Sequence, residues 1–430
     1  MALGGGDFTT YTKNLPGAYV VTISAARSGD AIPERGYCAI PLEFDWGIDG
    51  AIFEVAAKQF YSDAQKIFGY TYDNDKMKGL RDLYKNAQVV YFYKLNSDGV
   101  KATNTFATAK YGGVRGNDFT IVIENGVDSG TFDVQTFLGT VKVDSQIVTT
   151  AAGLVSNDYL DFKTGATLAT TAGLPLSTGT NGTIANTDYQ AFLDKIESYS
   201  YNTLGTVSND SDIKGLFAEF TKRLRDEQGI KFQCVLHKYA TADYEGIISV
   251  ENNTLTDLVY WTLGACANCA INSSVTNKTY DGEYTVDTDY TQTELEAAIG
   301  VGKFIFHNVM NEVRVLLDIN TLTTYTTTKN DEFKYNQTIR IIDQIANNSA
   351  SIFNNDYLGK IPNDDAGKLS LKNALLDMFL DLQVQRAITG FVADALTIGG
   401  VDTDKRAVVV DVSVTILNTM TKLYMTVVIS

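Results

Sequence analysis

The chain has 430 residues, of which 44% are hydrophobic and 20% are charged, and its formal net charge is −16. This length and composition indicate a globular protein of roughly two to four domains, each able to bury a core. The acidic balance argues against a nucleic-acid-binding surface, which would need clustered Lys and Arg.

The first 35 residues are predicted to form an extended arm. They contain one strand pattern with no hairpin partner nearby, carried by Tyr19, Val20, Val21 and Ile23. They show no basic segment followed by an apolar one, so we expect no secretory signal. Four cysteines are too few for a disulfide scaffold, and no apolar run is long enough to span a membrane. We therefore expect assembly in a reducing cytoplasm.

Three segments with different patterns of apolar and polar residues follow the arm. Residues 36–95 read as a strand near 36–44, two helices and a buried strand at 89–95. Residues 96–182 carry short alternating runs separated by Gly, Asn, Asp and Ser, which predict a small antiparallel β domain. Residues 183–328 alternate helix and strand signals, which favours an α/β domain with a largely parallel sheet.

Residues 329–420 carry two amphipathic helices. The first helix places four apolar residues on one stripe: Ile339, Ile342, Ile345 and Ala346. The second helix, predicted over 368–391, does the same with Leu371, Leu375, Met378, Phe379 and Leu382. Both stripes predict packing against a core.

Two strand patterns end the chain. The first alternates apolar and polar residues and predicts a half-buried strand through Val410, Val412, Val414 and Ile416. The second, over 423–429, has apolar residues at Leu423, Met425, Val427 and Ile429. A strand at the very end of a chain either pairs within its own sheet or presents an edge that other chains can join.

Motifs for chemistry are weak. Cys234-x-x-His237 with Cys266-x-x-Cys269 has the ligand count of a structural zinc site, but residues three apart in a strand face opposite ways. We therefore expect buried thiols and no metal. Both His237 and His307 lie in apolar strands, and neither a nucleophile elbow nor a phosphate-binding loop is present. We expect no enzyme activity and no cofactor, although a Ser-His-Asp triad is defined by geometry and stays open.

Six stretches share a pattern with one known family: 15–26, 35–47, 109–123, 277–306, 313–323 and 420–429. Taken together, they resemble contractile tail sheath proteins. The two N-terminal stretches are similar to the version in phages and phage-tail-like bacteriocins of Gram-positive bacteria.

The resemblance implies a multidomain fold of α/β and α+β type. A tube-proximal α+β core domain would be built from 36–95 plus 329–420, with 96–182 as an inserted antiparallel β domain. Residues 183–328 would form a subtilisin-like α/β domain without catalytic residues. Extended β arms would occupy 1–35 and 421–430.

The resemblance also implies a function. Subunits would form hexameric rings, stacked helically around a tail tube, and contraction would drive that tube through the target cell envelope. The N-terminal strand and the 423–429 strand would be donated to neighbouring subunits, and the strand through Val410 and Ile416 would receive one. Lys368 and Lys372 are candidate tube contacts, with an ordinary solvent-exposed role as the alternative.

The implied partners are other copies of the chain, the tail tube protein, and baseplate and tail terminator proteins. No nucleic acid or direct membrane contact is expected. The particle would be a virion tail or a phage-tail-like particle, assembled in the bacterial cytoplasm and released by lysis. Alternatives are the sheath of a headless bacteriocin or other contractile injection system and, more remotely, a self-assembling surface protein or a hydrolase.

Overall fold

The computed structural model describes residues 35–429, so the predicted N-terminal strand through Tyr19 and Ile23 lies outside the described residues. The strands, in chain order, are β1 (Tyr37–Leu42), β2 (Phe53–Ala56), β3 (Val89–Lys94), β4 (Lys101–Thr103), β5 (Ala107–Gly112), β6 (Phe119–Asn125), β7 (Phe132–Leu138), β8 (Val141–Val148), β9 (Leu160–Phe162), β10 (Thr171–Pro175), β11 (Thr203–Gly205), β12 (Gln233–His237), β13 (Ile247–Val250), β14 (Lys303–Phe304), β15 (Phe306–Val309), β16 (Glu312–Val315), β17 (Ile388–Thr389), β18 (Leu396–Val401), β19 (Asp404–Val412) and β20 (Thr415–Ile416). The α-helices are α1 (Ala57–Phe68), α2 (Lys78–Tyr84), α3 (Asn186–Ile196), α4 (Ser211–Lys222), α5 (Leu258–Asn268), α6 (Gln292–Gly300), α7 (Asn336–Ile352) and α8 (Asp365–Val384).

The chain divides into two compact units. Among the described residues, one unit contains 35–39, Asp82–Gln88 and 197–429; the other contains Ile40–Arg81 and Val89–Ile196. The start of β1 pairs with β11 in the first unit, and residues 40–81 lie in the second unit. The predicted core domain of 36–95 plus 329–420 stays a prediction. The predicted limits near 182, 328 and 420 stay predictions.

The first unit contains the predicted parallel sheet. β1, β11, β12, β13 and β14 pair in parallel, in that order. Strands buried on both faces read as continuous apolar runs, and β12 and β13 are buried at every position. Helix α5 packs on this sheet and is itself almost wholly buried, which explains why its sequence shows no polar face.

The second unit contains the predicted antiparallel β region. One sheet has the order β10-β6-β7-β8 and another has the order β4-β5-β9. Inward-facing residues of both sheets share one core, which includes Ile121, Val134 and Leu160. Trp46 joins this core from the preceding segment, with its ring 5.2 Å from that of Phe119. The predicted antiparallel β region is confirmed.

The two C-terminal helices bury the predicted stripes. Ile339 and Ile345 of α7 and all five predicted residues of α8 are less than 10% exposed. Helix α8 nevertheless ends at Val384, short of the predicted 391. Arg386 has φ +61°, a left-handed conformation that ends a helix, and Ile388 then enters β17. No helix in the described residues is both long enough and apolar enough to span a bilayer.

Candidate functional site

The cysteines and histidines that the sequence offered for a zinc site or a catalytic triad lie within separate strands and helices of the fold. Cys234 lies within β12, Cys266 within α5, and Cys269 follows the end of α5. Burial raises the pKa of the Cys234 thiol to about 12 and that of Cys266 well above its usual value. Within 35–429, no group of three or more His, Cys, Asp or Glu side chains is arranged to hold a metal ion. The buried thiols behave as small apolar groups.

The two histidines occupy strand positions without a triad geometry. His237 Nδ1 lies 2.8 Å from Asn209 Oδ1, and Nε2 lies 3.4 Å from the carbonyl oxygen of Asn253. Neither partner is a nucleophile or a carboxylate. Burial lowers the pKa of both His237 and His307, so both rings favour the neutral form. These contacts hold the ring of His237 in place and offer no acyl-transfer site.

The C-terminal segment is the most unusual surface of the first unit. From Met420 to Ile429 every residue is exposed, and the segment belongs to no strand among the described residues. Its apolar side chains are more than two-thirds exposed: Met420, Leu423, Tyr424, Met425, Val427, Val428 and Ile429. A contiguous apolar stretch of this kind on a protein surface marks an interaction site. The segment therefore does not complete a sheet of its own subunit.

A hairpin with two unpaired edges precedes this segment. β18 and β19 pair with each other, in a register that includes Ile398 with Val410, and with no further strand of the described chain. One face of the hairpin packs on the core shared with α8, through Leu396 and Val412. Two-stranded ribbons are marginally stable alone, and no further strand of the described residues pairs with either outer edge, although Asn363 Nδ2 donates to the carbonyl oxygens of Lys405 and Ala407 in β19. The hairpin can therefore accept additional strands.

The predicted receiving strand is interrupted. Val410 and Val412 lie in β19, Val414 lies between strands, and Ile416 lies in β20. The Ser413 N–H still donates to Ala395 O in the register of the β18–β19 ladder, and after Val414 the chain pairs elsewhere, as β20 with β17. Val414 is 7% exposed and packs inward, whereas Val410 is 36% exposed. Of the four predicted residues, only Val410 and Val412 lie on the hairpin.

Helix α8 has a second apolar face that the sequence reading missed. Leu369, Leu380 and Val384 are 58%, 46% and 79% exposed. Eleven and four residues separate them, so they lie on one side of the helix, away from the buried stripe. Counting leucines at helical spacing on both sides of α8 would have found this face. The predicted Lys368 and Lys372 are half-buried. Lys368 lies on the side of the buried stripe, 3.9 Å from Asp365, and Lys372 lies at the border of that stripe.

Buried ion pairs anchor α7 beneath these surfaces. Arg225 makes two hydrogen bonds to the carboxylate of Asp343, at 2.7 and 2.8 Å. Burial alone would lower the pKa of Arg225, but the nearby Asp343 carboxylate raises it, so the guanidinium stays charged. Fixed charges of this kind favour one packing of the helix.

Comparison with known proteins shows the family of this chain. Three family profiles match in succession: the "Phage tail sheath protein beta-sandwich domain" at 97–181, the "Phage tail sheath protein central domain" at 182–321 and the "Phage tail sheath C-terminal domain" at 328–430. The phage-like element PBSX protein XkdK of Bacillus subtilis is 32% identical, over 98% of this chain and 99% of its own length. The chain belongs to the phage tail sheath protein family.

Solved structures agree with this assignment. The sheath tail protein of Desulfitobacterium hafniense is 34% identical and superposes with a TM-score of 0.83, covering 95% of this chain and 99% of its own. The contracted helical sheath of the anti-feeding prophage shares the fold at 11% identity, with a TM-score of 0.57 and coverage of 97% and 99%. The tail sheath protein described here is therefore a structural component of a phage tail or phage-tail-like particle, with a multidomain α+β fold that includes a β-sandwich.

Proposed function

We propose that this tail sheath protein builds a contractile sheath whose subunits are joined by donated β-strands. Hexameric rings would stack helically around a tail tube, and each subunit would add its 423–429 strand to the β18–β19 hairpin of a neighbour. The observation that carries the proposal is the coexistence in one chain of an unpaired apolar segment and a hairpin with two unpaired edges. The N-terminal strand through Tyr19, Val20, Val21 and Ile23 would add to a second edge.

The side-chain pattern of the segment fits a strand that becomes buried on both faces. Leu423, Met425, Val427 and Ile429 would point to one side, and Tyr424 and Val428 to the other. Burying each of these side chains is worth about 1.5–3 kcal/mol. Backbone hydrogen bonds to the hairpin edge would add affinity, and the alternate side chains would fix the register.

We propose that α8 faces the tail tube. The exposed row of Leu369, Leu380 and Val384 supplies an apolar contact surface, and the predicted Lys368 and Lys372, both half-buried, would add positive charge on the same helix. This surface would keep the sheath on the tube while it is extended. Baseplate and tail terminator proteins would contact the first and last rings, at the two ends of the stack.

Contraction would follow from two packings of the same subunits. The extended sheath would be the less buried arrangement, and the change would pass from ring to ring because packed interfaces have discrete arrangements. The donated strands would keep neighbours linked while their bodies rotate. We also propose that the parallel sheet is a subtilisin-like scaffold without catalytic residues, and that particles assemble in the bacterial cytoplasm and leave by lysis. Both a phage tail and a headless contractile particle fit this role.

The test is negative-stain electron microscopy of the full chain beside a version that lacks 420–430. We expect striated tubes or rings from the full chain and dispersed particles from the truncated one. Circular dichroism provides the control, since removing an exposed segment should leave the folded body unchanged. Tubes of equal yield from both chains would refute strand donation by this segment.

A further inference from the structure

The buried side chain of Gln337 lies at the point where the C-terminal segment leaves the folded part of the subunit, which we call the body. Gln337 lies in the first turn of α7 and is 4% exposed. Its Nε2 donates to the carbonyl oxygen of Leu417 at 3.3 Å. Its Oε1 accepts from the backbone N–H of Thr419 at 3.1 Å and from the Thr419 hydroxyl at 3.0 Å. One amide group therefore binds two backbone positions of the departing chain.

The geometry of these bonds is that of a strand partner. In an extended chain, the carbonyl of one residue and the N–H of the residue two further along face the same side. The amide of Gln337 thus takes the place of the N–H and C=O of one residue in a neighbouring strand. Two further contacts flank it: the Leu417 N–H donates to Ala387 O at 3.0 Å, and Asn418 Nδ2 donates to Glu332 Oε2 at 2.8 Å.

The hydrogen bonds between the C-terminal segment and the rest of the subunit end at Thr419. Met420 is 100% exposed, and over 420–429 no hydrogen bond or ion pair to the body occurs within the described part of the chain. Ile416, immediately before the held residues, packs against the core clusters of α7 and α8. The border between anchored and unanchored chain therefore falls between Thr419 and Met420.

We propose that Gln337 is a positioning residue that fixes where, and in which direction, the C-terminal strand leaves its subunit. This inference rests on the proposed strand donation. A fixed origin limits the reach of 420–429 to about 35 Å, at about 3.3–3.6 Å per residue. The strand can then meet only the hairpin of a neighbour within that distance. The same amide resists peeling of 417–419 from the body when the link between subunits is under tension.

Burial makes the amide hard to replace. A polar group in an apolar interior has to be hydrogen-bonded, and here its partners are the backbone groups of the departing chain. Gln337→Leu keeps the size of the side chain and removes all three hydrogen bonds. Gln344→Leu is the matched control, because Gln344 lies on the same helix, is also 4% exposed, and bonds Asn348 Oδ1 at 2.7 Å within α7.

The first readout is hydrogen exchange of the unassembled full chain, with peptides that separate 417–419 from 420–429. We expect the Thr419 amide to be protected and 421–429 to exchange freely. Gln337→Leu should speed exchange at Thr419 by about tenfold or more, because its hydrogen-bond partner is gone. Gln344→Leu should leave that rate unchanged. Equal rates at Thr419 and 421–429 in the unaltered chain, or no effect of Gln337→Leu, would overturn the inference.

The second readout is assembly, which separates this inference from strand donation itself. We expect Gln337→Leu to give fewer and shorter tubes than Gln344→Leu. If the chain lacking 420–430 fails to assemble while Gln337→Leu assembles as well as Gln344→Leu, donation stands and the positioning role falls. If the truncated chain assembles normally, donation itself falls. Should Gln337→Leu not fold, Thr419→Val removes one bond from outside the core and should raise exchange at residue 419 in the same direction.

Discussion

Arg340 and Asp318 form an ion pair inside the first unit, with Nη2 2.6 Å from Oδ2 and both side chains 1% exposed. Asn336 donates to the second carboxylate oxygen at 2.9 Å. Burial alone would raise the pKa of Asp318, but the charge and hydrogen bonds of Arg340, with the bond from Asn336, lower it. The pair ties α7, and with it Gln337, to the segment that follows β16.

Breaking this pair should destabilise the body strongly. Asp318→Asn would leave the Arg340 guanidinium buried without a counter-charge, which costs about 3–5 kcal/mol in comparable sites. Urea unfolding of the purified chain would measure the loss. Arg406→Ala is the control, because Arg406 pairs with Asp404 at 93% and 45% side-chain exposure and should contribute less than about 1 kcal/mol. Equal urea midpoints for both variants would contradict the expectation.

Asp243 should make stability depend on acid pH. Burial would raise its pKa, but hydrogen bonds from Thr323 and Thr324 outweigh burial and lower the pKa to about 2. The unfolded chain, with an Asp pKa of about 3.9, binds this proton first as pH falls. The stabilisation is therefore complete above about pH 4 and is lost as pH drops toward about 2.

The measurement is the free energy of unfolding of the unaltered chain and of Asp243→Asn between about pH 6 and pH 3. We expect the difference between the two proteins to shrink as the pH falls. A constant difference across this range would show that the carboxylate does not act in this way.

Proline substitutions in the C-terminal segment should report how it pairs. Tyr424→Pro and Met425→Pro remove adjacent backbone N–H groups, which point to opposite sides of a strand. Both residues are more than 70% exposed, so the melting temperature of the unassembled chain should not change. A strand added at an edge pairs through only one of its two sides. Tube formation should therefore tolerate one of the two substitutions better than the other. Full assembly by both variants would argue against any paired strand here.

The two apolar faces of α8 should respond differently to charge. Leu380→Asp, at a position 46% exposed, should fold normally but lose association with the tail tube protein. Leu382→Asp, at a position with no exposure, should cost at least about 3 kcal/mol of stability. Co-sedimentation with tube protein and urea unfolding would measure the two effects. Normal tube binding by Leu380→Asp would remove this face from the proposed contact.

The thiols should be inert in the folded chain. Cys38, Cys234 and Cys266 are fully buried, and burial raises the pKa of Cys38 to about 12. A thiol reagent at about pH 8 should therefore label none of the three until the chain is unfolded in urea. The half-buried Cys269 is replaced by Ser in this assay so that it does not contribute. Rapid labelling of the native chain would contradict the burial.

The sequence predicted much of the fold because several patterns are local. Thr291 and Glu294 form a capping box at the start of α6, and their three-residue spacing is itself a local pattern. The stripe from Leu371 to Leu382 is buried, and the antiparallel runs at 119–124 and 132–138 pair with each other. Periodicity could not show the break at Val414, because after it the chain changes its partner strand from β18 to β17, and strands so far apart in the sequence leave no local pattern.

By itself, the sequence determined most of the helices, the strands of the parallel and antiparallel regions, the buried helix stripes, and the apolar alternation of 423–429. Those properties depend on neighbours a few residues apart, so spacing alone reveals them. Only the tertiary structure decided that β1 joins the parallel sheet, that α8 carries a second apolar face open to solvent, and that Gln337 holds the last anchored residues. These depend on contacts between residues up to 165 positions apart, and such contacts leave no trace in local periodicity.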